Sequence, residues 1–115
     1  MDTTSIKQIS IPLLKDGNSS TSITVDANLR NFHQVIRTGS CTVTLTSPRT
    51  GSNPRVTIVF VHEASTNAYT VAFSPVPLWS GGTAPTFTNT SSAIDMVSLI
   101  WDGAHWIGWQ TPDHK

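Results

Sequence analysis

Hydrophobic and polar residues alternate in short runs along the chain, and clusters of Gly, Pro, Asn, Asp and Ser separate these runs. In the run that starts at Cys41, three apolar residues alternate with three threonines, which is typical of a strand with one buried face. No stretch has the 3.6-residue period of an amphipathic helix. The pattern therefore predicts an all-β protein. The predicted strands are Ile6–Leu13, Ser22–Asp26, Phe32–Arg37, Cys41–Thr46, Val56–His62, Ala68–Phe73, Thr86–Thr88, Ile94–Trp101 and Trp106–Gln110.

Four segments carry the residues that turns and loops require. Lys15–Asn18 contains a Gly that tolerates positive φ, which predicts a turn. The Asp-Gly pair at Asp102 lies between two aromatic-rich strands, which predicts a hairpin. Ser47–Pro54 holds two prolines that cannot donate to a ladder, and Ser74–Pro85 is the longest predicted loop. We find no linker and no repeat. Residues 1–115 are therefore expected to form one domain, a single antiparallel β-sandwich of jelly-roll-like arrangement.

Two of the predicted strands are apolar on both faces. In Val56–His62, Ile58 and Phe60 point away from Val59 and Val61, and the strand Ile94–Trp101 shows the same pattern. A thin two-layer domain cannot bury both faces of a strand by itself, so a loop or another subunit must cover the second face. Cover by another subunit is the simpler interpretation, and it predicts a homo-oligomer.

The composition excludes several classes of protein. Charged residues make up 12% of the chain and the formal net charge is zero, so the chain has no basic field for nucleic acid. Ser and Thr, which supply 31 of the 115 residues, provide most of the polarity. Cys41 is the single cysteine, and no apolar run approaches the length that spans a bilayer. The N-terminus lacks the regions of a signal peptide, so we expect a soluble chain that is synthesised in the cytosol and does not bind a membrane.

The residue types of common catalytic and metal sites are present without the required arrangement. His33 and Cys41 resemble a nucleophile and its base, with Asp26 or Asp95 as the orienting group. The alternation of Cys41 with Val43 predicts instead a buried, inert thiol. The histidines lack the spacing that places two ligands on one face, and the carboxylates are scattered. We therefore expect no catalytic residue, no metal and no cofactor, and the chain is not expected to be an enzyme.

Three residues, Asp95, Trp79 and Trp109, are candidates for contacts outside the subunit. Asp95 interrupts an apolar strand, either to form a hydrogen bond with a neighbouring loop backbone or to contact a partner. Trp79 lies in the Pro- and Gly-rich loop and Trp109 lies near the C-terminus, so either can contact a partner or a sugar. Trp101 and Trp106 flank the predicted hairpin turn and are expected to form a cross-strand aromatic pair.

The order of several segments resembles a known family. These segments are Leu45–Pro48 with Gly51, Val56–Glu63, Tyr69–Phe73, Trp79–Thr86 and Ile94–Gly108. Together they resemble the small β-sandwich modules of tailed-bacteriophage virions, which occur as head decoration proteins, as head fibres and as the terminal modules of tail fibres. The similarity covers Phe32 to Gly108, and its more specific motifs are Trp-x-Gly-Gly at Trp79 and Asp-Gly-x-x-Trp at Asp102. The resemblance implies a trimer around a threefold axis.

The resemblance implies a non-enzymatic function in the virion. A tail-fibre module normally ends a much longer chain, and Met1 lies shortly before the similar region, so we expect a capsid decoration (cement) protein. Its partners are then itself, as a homotrimer, and the major capsid protein, at the capsid surface of the virion. The alternative is a receptor- or glycan-binding module of a tail fibre. Residues 1–14, with Ile6, Ile9 and Ile11, are interpreted either as an extended arm that docks on a partner or as an ordinary first strand.

Overall fold

A computed structural model of the protein describes residues 15–18 and 22–114, and these residues form an almost all-β fold. The strands are β1 (Lys15–Asn18), β2 (Ser22–Val25), β3 (Phe32–Arg37), β4 (Cys41–Leu45), β5 (Arg55–His62), β6 (Val71–Ser74), β7 (Leu78–Trp79), β8 (Ile94–Trp101) and β9 (Trp106–His114). A short 3-10 turn, Ser80–Gly82, follows β7. The predicted strand Ile6–Leu13 and the predicted arm, with Ile6, Ile9 and Ile11, lie outside the described residues. Within the described residues no helix is long and apolar enough to cross a membrane.

The strands form two sheets. The larger sheet has the order β1-β3-β5-β8-β9-β7, and the smaller sheet has the order β2-β4-β6. From β1 to β6 the chain alternates between the sheets, so strands two apart in sequence become neighbours and run parallel. The chain then adds the antiparallel pair β8 and β9 beside β5, and β7 pairs in parallel with the far side of β9.

The prediction of antiparallel pairing throughout is wrong for β1 to β6. It assumed that strands joined by a turn pair with each other, as they do in a hairpin. In the structure each connection instead leads into the other sheet, and the strand in that sheet acts as the crossover that a parallel pair requires. The predicted hairpin at Asp102 is confirmed: the main-chain N–H of Asp102 donates to the carbonyl of His105 at 3.1 Å, and β8 and β9 pair antiparallel.

Most strand positions agree with the prediction. The bounds of β3 and β8 are those predicted, and the other predicted strands that form differ by a few residues. Lys15–Asn18, predicted as a turn, is strand β1, and the predicted strand Thr86–Thr88 is irregular loop. The loop Ser74–Pro85 contains β7 and the 3-10 turn. Short edge segments of this kind carry too few residues for the period-two pattern to mark them.

Alternate side chains of both sheets meet in one hydrophobic cluster. Val43 from the smaller sheet and Val35, Ile58, Phe60 and Val97 from the larger sheet are completely buried in it. The Phe60 ring contacts Phe73 and Phe87 edge to face, with ring centroids 6.4 and 4.8 Å apart. Because side chains in a strand alternate between faces, the positions between these core residues point outward and form the two outer faces of the domain.

Candidate functional site

The outer face of the larger sheet is rich in apolar side chains, and the polar residues on it are Gln34, Arg55, Thr57, Ser98 and Thr111. Parallel and antiparallel pairing aligns Ile36, Val61 and Ile94 in one row, and Val59 with Met96 in the next. All five side chains are partly exposed in the single chain. We call this surface the apolar face, and it consists of Ile36, Val59, Val61, Ile94, Met96, Ile100 and Ile107. It corresponds to the second apolar side of the strands that the sequence marked as two-faced.

The outer face of the smaller sheet has the opposite character. We call it the hydroxyl face, and its two rows are Ser22, Thr42, Ala72 and Thr24, Thr44, Ser74. Most of these side chains are exposed, and five of the six carry a hydroxyl group. Such a surface is compatible with water without a partner. The two outer faces of one domain therefore differ in the way expected if one is solvated and the other is covered.

Asp95 lies in β8 on the side that faces the core, and its side chain is completely buried. Its carboxylate accepts hydrogen bonds from the Thr88 amide at 2.8 Å, from the Thr88 hydroxyl at 2.9 Å and from the Asp113 amide at 2.7 Å. Of the two interpretations of Asp95, the structure therefore supports the hydrogen bond to a neighbouring loop. Its inclusion among the interface candidates is corrected, because its side chain is sequestered inside the subunit.

Arg37 is the buried counter-charge of Asp95. One guanidinium nitrogen is 3.8 Å from the Asp95 carboxylate, and neither side chain is exposed. The guanidinium also donates to the Asn89 side-chain oxygen at 3.0 Å and to the Thr88 carbonyl, and it lies over the Phe87 ring. Burial lowers the pKa of Arg37, while the charge of Asp95 opposes that shift. This ion pair fixes the loop before β8 and the end of β9 to the sheet.

The sequence contains a signal for the pairing of Arg37 with Asp95. His33, Val35 and Arg37 are two residues apart and lie on the same side of β3, so a buried Val35 implies a buried Arg37. A buried arginine requires an acceptor, and Asp95 is the carboxylate in an apolar strand. A pairing rule for buried charges therefore leads to the contact that alternation alone did not reveal.

Trp79 and Trp109 line a single groove at the edge of the larger sheet. The groove has a volume of about 480 Å³ and is also lined by Ser80, Thr83, Pro85 and Gln110. Among the described residues, β7 pairs with β9 at Ile107 and Gly108, so the edge of β9 beyond Gly108 faces the groove instead of a strand. The sequence placed Trp79 and Trp109 in separate segments, and the parallel pairing of β7 with β9 brings them together.

The Trp79 indole is held in place by its neighbours. Its ring contacts Phe73 edge to face, with centroids 5.1 Å apart. A Cβ atom at Gly108 would lie 2.7 Å from the Trp79 ring and 2.7 Å from Leu99, so the absence of a side chain at Gly108 makes room for the indole. Trp109, by contrast, is 40% exposed. Trp109 projects from the outward face of the sheet, opposite Ser98, so the two indoles lie on different sides of the sheet edge.

The remaining chemical candidates are buried side chains. Cys41 is buried in β4 with Val43 and Leu45, as the alternation predicted. The His33 and His62 side chains are buried, and their ring nitrogens contact main-chain carbonyl oxygens at 2.7 to 3.3 Å. In the part of the chain that the structure describes, no group of three or more His, Cys, Asp or Glu side chains could hold a metal ion.

The hairpin turn between β8 and β9 is stabilised by its own Asp. The Asp102 carboxylate accepts hydrogen bonds from the main-chain amides of His105 at 2.6 Å and Ala104 at 2.8 Å. These bonds, led by that from His105, lower the pKa of Asp102. Trp101 and Trp106 contact each other across the hairpin with centroids 5.4 Å apart, which confirms the predicted aromatic pair.

Comparisons with protein-family models, curated proteins and solved structures find no match for this chain.

Proposed function

We propose that this chain is a non-enzymatic structural protein of a bacteriophage virion, which binds the assembled capsid as a homotrimer and stabilises it. The two sheets form the layers of a sandwich, and residues 1–14 form an arm that docks on the capsid or on a neighbouring trimer. A trimer that binds the assembled shell lowers the free energy of that state by its own binding free energy. The sequence resemblance to virion decoration modules gives the class of partner.

The apolar face is the observation that supports the proposed trimer. Seven apolar side chains from four strands point outward together, whereas the hydroxyl face of the same domain carries mainly Ser and Thr. Exposed apolar surface of this extent marks a contact site. A second and a third copy of the same chain supply an equally apolar surface, with the exposed Arg55 at its margin opposite Ile100.

The test of the trimer compares the two outer faces. Val59→Lys places a charge in the middle of the apolar face, whereas Thr44→Lys places the same charge on the hydroxyl face. Sedimentation equilibrium is expected to give three times 12.4 kDa for the original chain and for Thr44→Lys, and a smaller assembly for Val59→Lys. A folded monomer of the original chain at micromolar concentration contradicts the proposal.

The capsid partner is tested with purified heads that lack decoration. The chain is expected to sediment with such heads, and deletion of residues 1–14 is expected to leave a folded trimer whose binding falls at least about tenfold, or roughly 1.4 kcal/mol. If residues 1–14 are an ordinary first strand, their removal exposes a sheet edge. The truncated chain is then expected to aggregate or to unfold at a lower temperature. Full binding by a folded truncated chain contradicts both interpretations of this segment.

A second candidate function is a receptor- or glycan-binding module of a tail fibre. It is favoured by a specific observation, the meeting of Trp79 and Trp109 in one groove. Binding of the fluorescently labelled chain to host cells, compared with binding to undecorated heads, distinguishes this function from capsid decoration. Trp109→Ala is expected to reduce cell binding if the groove is the receptor site.

A further inference from the structure

We propose that Phe32 of one subunit packs beside Trp109 of the next subunit, around a threefold axis that runs parallel to the strands of the larger sheet. This inference rests on the proposed trimer, because it names the residues through which the copies meet. The occupant of the surface beside Trp109 is therefore a second copy of this chain. The positions of the two rings, the shape of the surface between them and the charge beside it support this contact.

Phe32 and Trp109 are the two ends of one row of side chains across the larger sheet. The row runs from Phe32 through Thr57 and Ser98 to Trp109, so it crosses β3, β5, β8 and β9. All four residues lie on the outward side, which is the side of the apolar face. Phe32 is 42% exposed and Trp109 is 40% exposed. The row therefore presents two exposed rings at its ends and small hydroxyl residues in its middle.

The short flanking strands leave both ends of this row open. Among the described residues, β1 pairs with β3 at Gln34 and Ile36, and β7 pairs with β9 at Ile107 and Gly108. Neither flanking strand pairs at the level of the row that ends in the two rings. Another subunit can therefore reach either ring from the side of the sheet.

The symmetry of a trimer brings the two ends of the row together. In a ring of identical copies, each contact joins one patch of a subunit to a different patch of the next subunit. Rotation about an axis parallel to the strands leaves every residue at the same height along that axis. The β3 edge of one sheet then meets the β9 edge of the next sheet with their rows level. The exposed phenyl ring at one edge consequently faces the exposed indole at the other.

A hollow beside Trp109 has room for the incoming ring. It has a volume of about 130 Å³, and Thr57, Ser98, Ile100 and Trp109 are among the residues that line it. This volume is close to the roughly 150 Å³ of a cavity that holds one benzene ring. Two aromatic rings in contact also stabilise an interface beyond the area that they bury. The hollow therefore fits one aromatic side chain, and the exposed Phe32 of a second copy is at the level to enter it.

Arg55 lines the same hollow and is exposed in the single chain. A charged group that another subunit covers requires a partner, because burial of an unpaired charge is costly. An aromatic ring supplies such a partner when a guanidinium lies over its face. Phe32 of the neighbouring copy brings a ring to this position, so the same contact accommodates the charge at the margin of the apolar face.

Disulfide cross-linking tests whether the two ends of the row meet between subunits. The variant that combines Phe32→Cys with Trp109→Cys is oxidised and analysed on a non-reducing gel. Within one subunit the two positions are three strand spacings apart, roughly 14 Å, which is too far for a disulfide. We expect a covalent trimer of three times 12.4 kDa for the double variant. Each single variant and the original chain, whose Cys41 is buried, should stay unlinked.

A double-mutant cycle measures the same contact without cross-linking. Phe32→Ala and Trp109→Ala should each weaken one contact at least about tenfold, so the association constant of the trimer falls about a thousandfold for three contacts. The variant with both changes should be weakened no further than either single variant, because both remove the same contact. Trp109→Phe should retain most of the association, and Leu29→Ala, an exposed apolar position outside the sheet, should leave it unchanged.

The outcomes separate this contact from the trimer itself. A folded monomer of the original chain overturns both the trimer and this inference. If the original chain is a trimer but the losses in the cycle simply add, the pairing of Phe32 with Trp109 is wrong and the trimer stands. Covalent dimers of Phe32→Cys alone also overturn the pairing, because they show that two β3 edges meet. If the double cysteine variant sediments as a monomer before oxidation, the cycle decides.

Discussion

Replacement of Asp95 by Ala is the sharpest test of how this fold is held together. The substitution removes three hydrogen-bond acceptor contacts, two to Thr88 and one to Asp113, and it leaves the guanidinium of Arg37 buried without its carboxylate. Removal of one partner of a buried ion pair typically costs about 3 to 5 kcal/mol. Small domains have a total free energy of unfolding of about 5 to 15 kcal/mol, so this one change removes a large fraction of it.

The assay is urea unfolding of the purified chain, analysed by linear extrapolation at one fixed protein concentration. Asp95→Ala is expected to lower the free energy of unfolding by about 3 to 5 kcal/mol. Ser98→Ala, on the outward side of the same strand, is the control and should change it by at most about 0.5 kcal/mol. Asp95→Asn keeps one carbonyl acceptor for Thr88, so it provides a milder variant if Asp95→Ala does not fold.

A double-mutant cycle tests the stated cause of the loss. Asp95→Ala leaves the Arg37 charge buried without a partner, and Arg37→Met removes that charge. The free energy of unfolding that the double variant loses should therefore be smaller than the sum of the two single losses. The expected difference is roughly 1 to 3 kcal/mol. A loss below about 1 kcal/mol for Asp95→Ala, or strictly additive losses in the cycle, refutes the reasoning that a buried ion pair fixes the loop before β8.

Three further predictions concern single sites. The buried Cys41 thiol should react slowly with a thiol reagent in the native state and fully after unfolding, and fast native labelling contradicts its burial. Cys41→Ala should lower the free energy of unfolding by about 1 to 2 kcal/mol. The Asp102 carboxyl should titrate below the ordinary Asp value of about 3.9 when its ¹³C signal is followed, because the His105 amide bonds its charged form. The stability from this bond is therefore present above that value and lost as the pH falls through the lowered pKa, and Asp102→Asn should abolish this pH dependence. Gly108→Ala should destabilise the chain by about 1 to 3 kcal/mol in urea unfolding, because the new methyl group meets the Trp79 ring; an unchanged midpoint shows that the ring can move aside.

The candidate site was only half predictable from the sequence. The position of Trp79 in a Pro- and Gly-rich loop and that of Trp109 near the C-terminus indicated both as residues for external contact. Their meeting depends on the parallel pairing of β7 with β9, and β7 is two residues long, too short to appear in a periodic pattern. Asp95 stands out in the sequence as an acid in an apolar strand. Its partner Arg37 does not, because the alternation of its strand does not indicate which charged residue is paired.

The pairing of the strands could not be deduced from the alternation for a physical reason. A period of two specifies which side chains share a face, and that division is the same in parallel and antiparallel ladders. Strand direction is decided by where each connection leads: the Asp-Gly turn at Asp102 is tight enough to return the chain beside β8, whereas the earlier connections pass into the other sheet. The faces themselves survive this change of topology, because a strand keeps its core side in either ladder. The residues that alternation placed on the second side of Val56–His62 and Ile94–Trp101 consequently became the apolar face, even though the sheet that contains them is assembled differently from the one predicted.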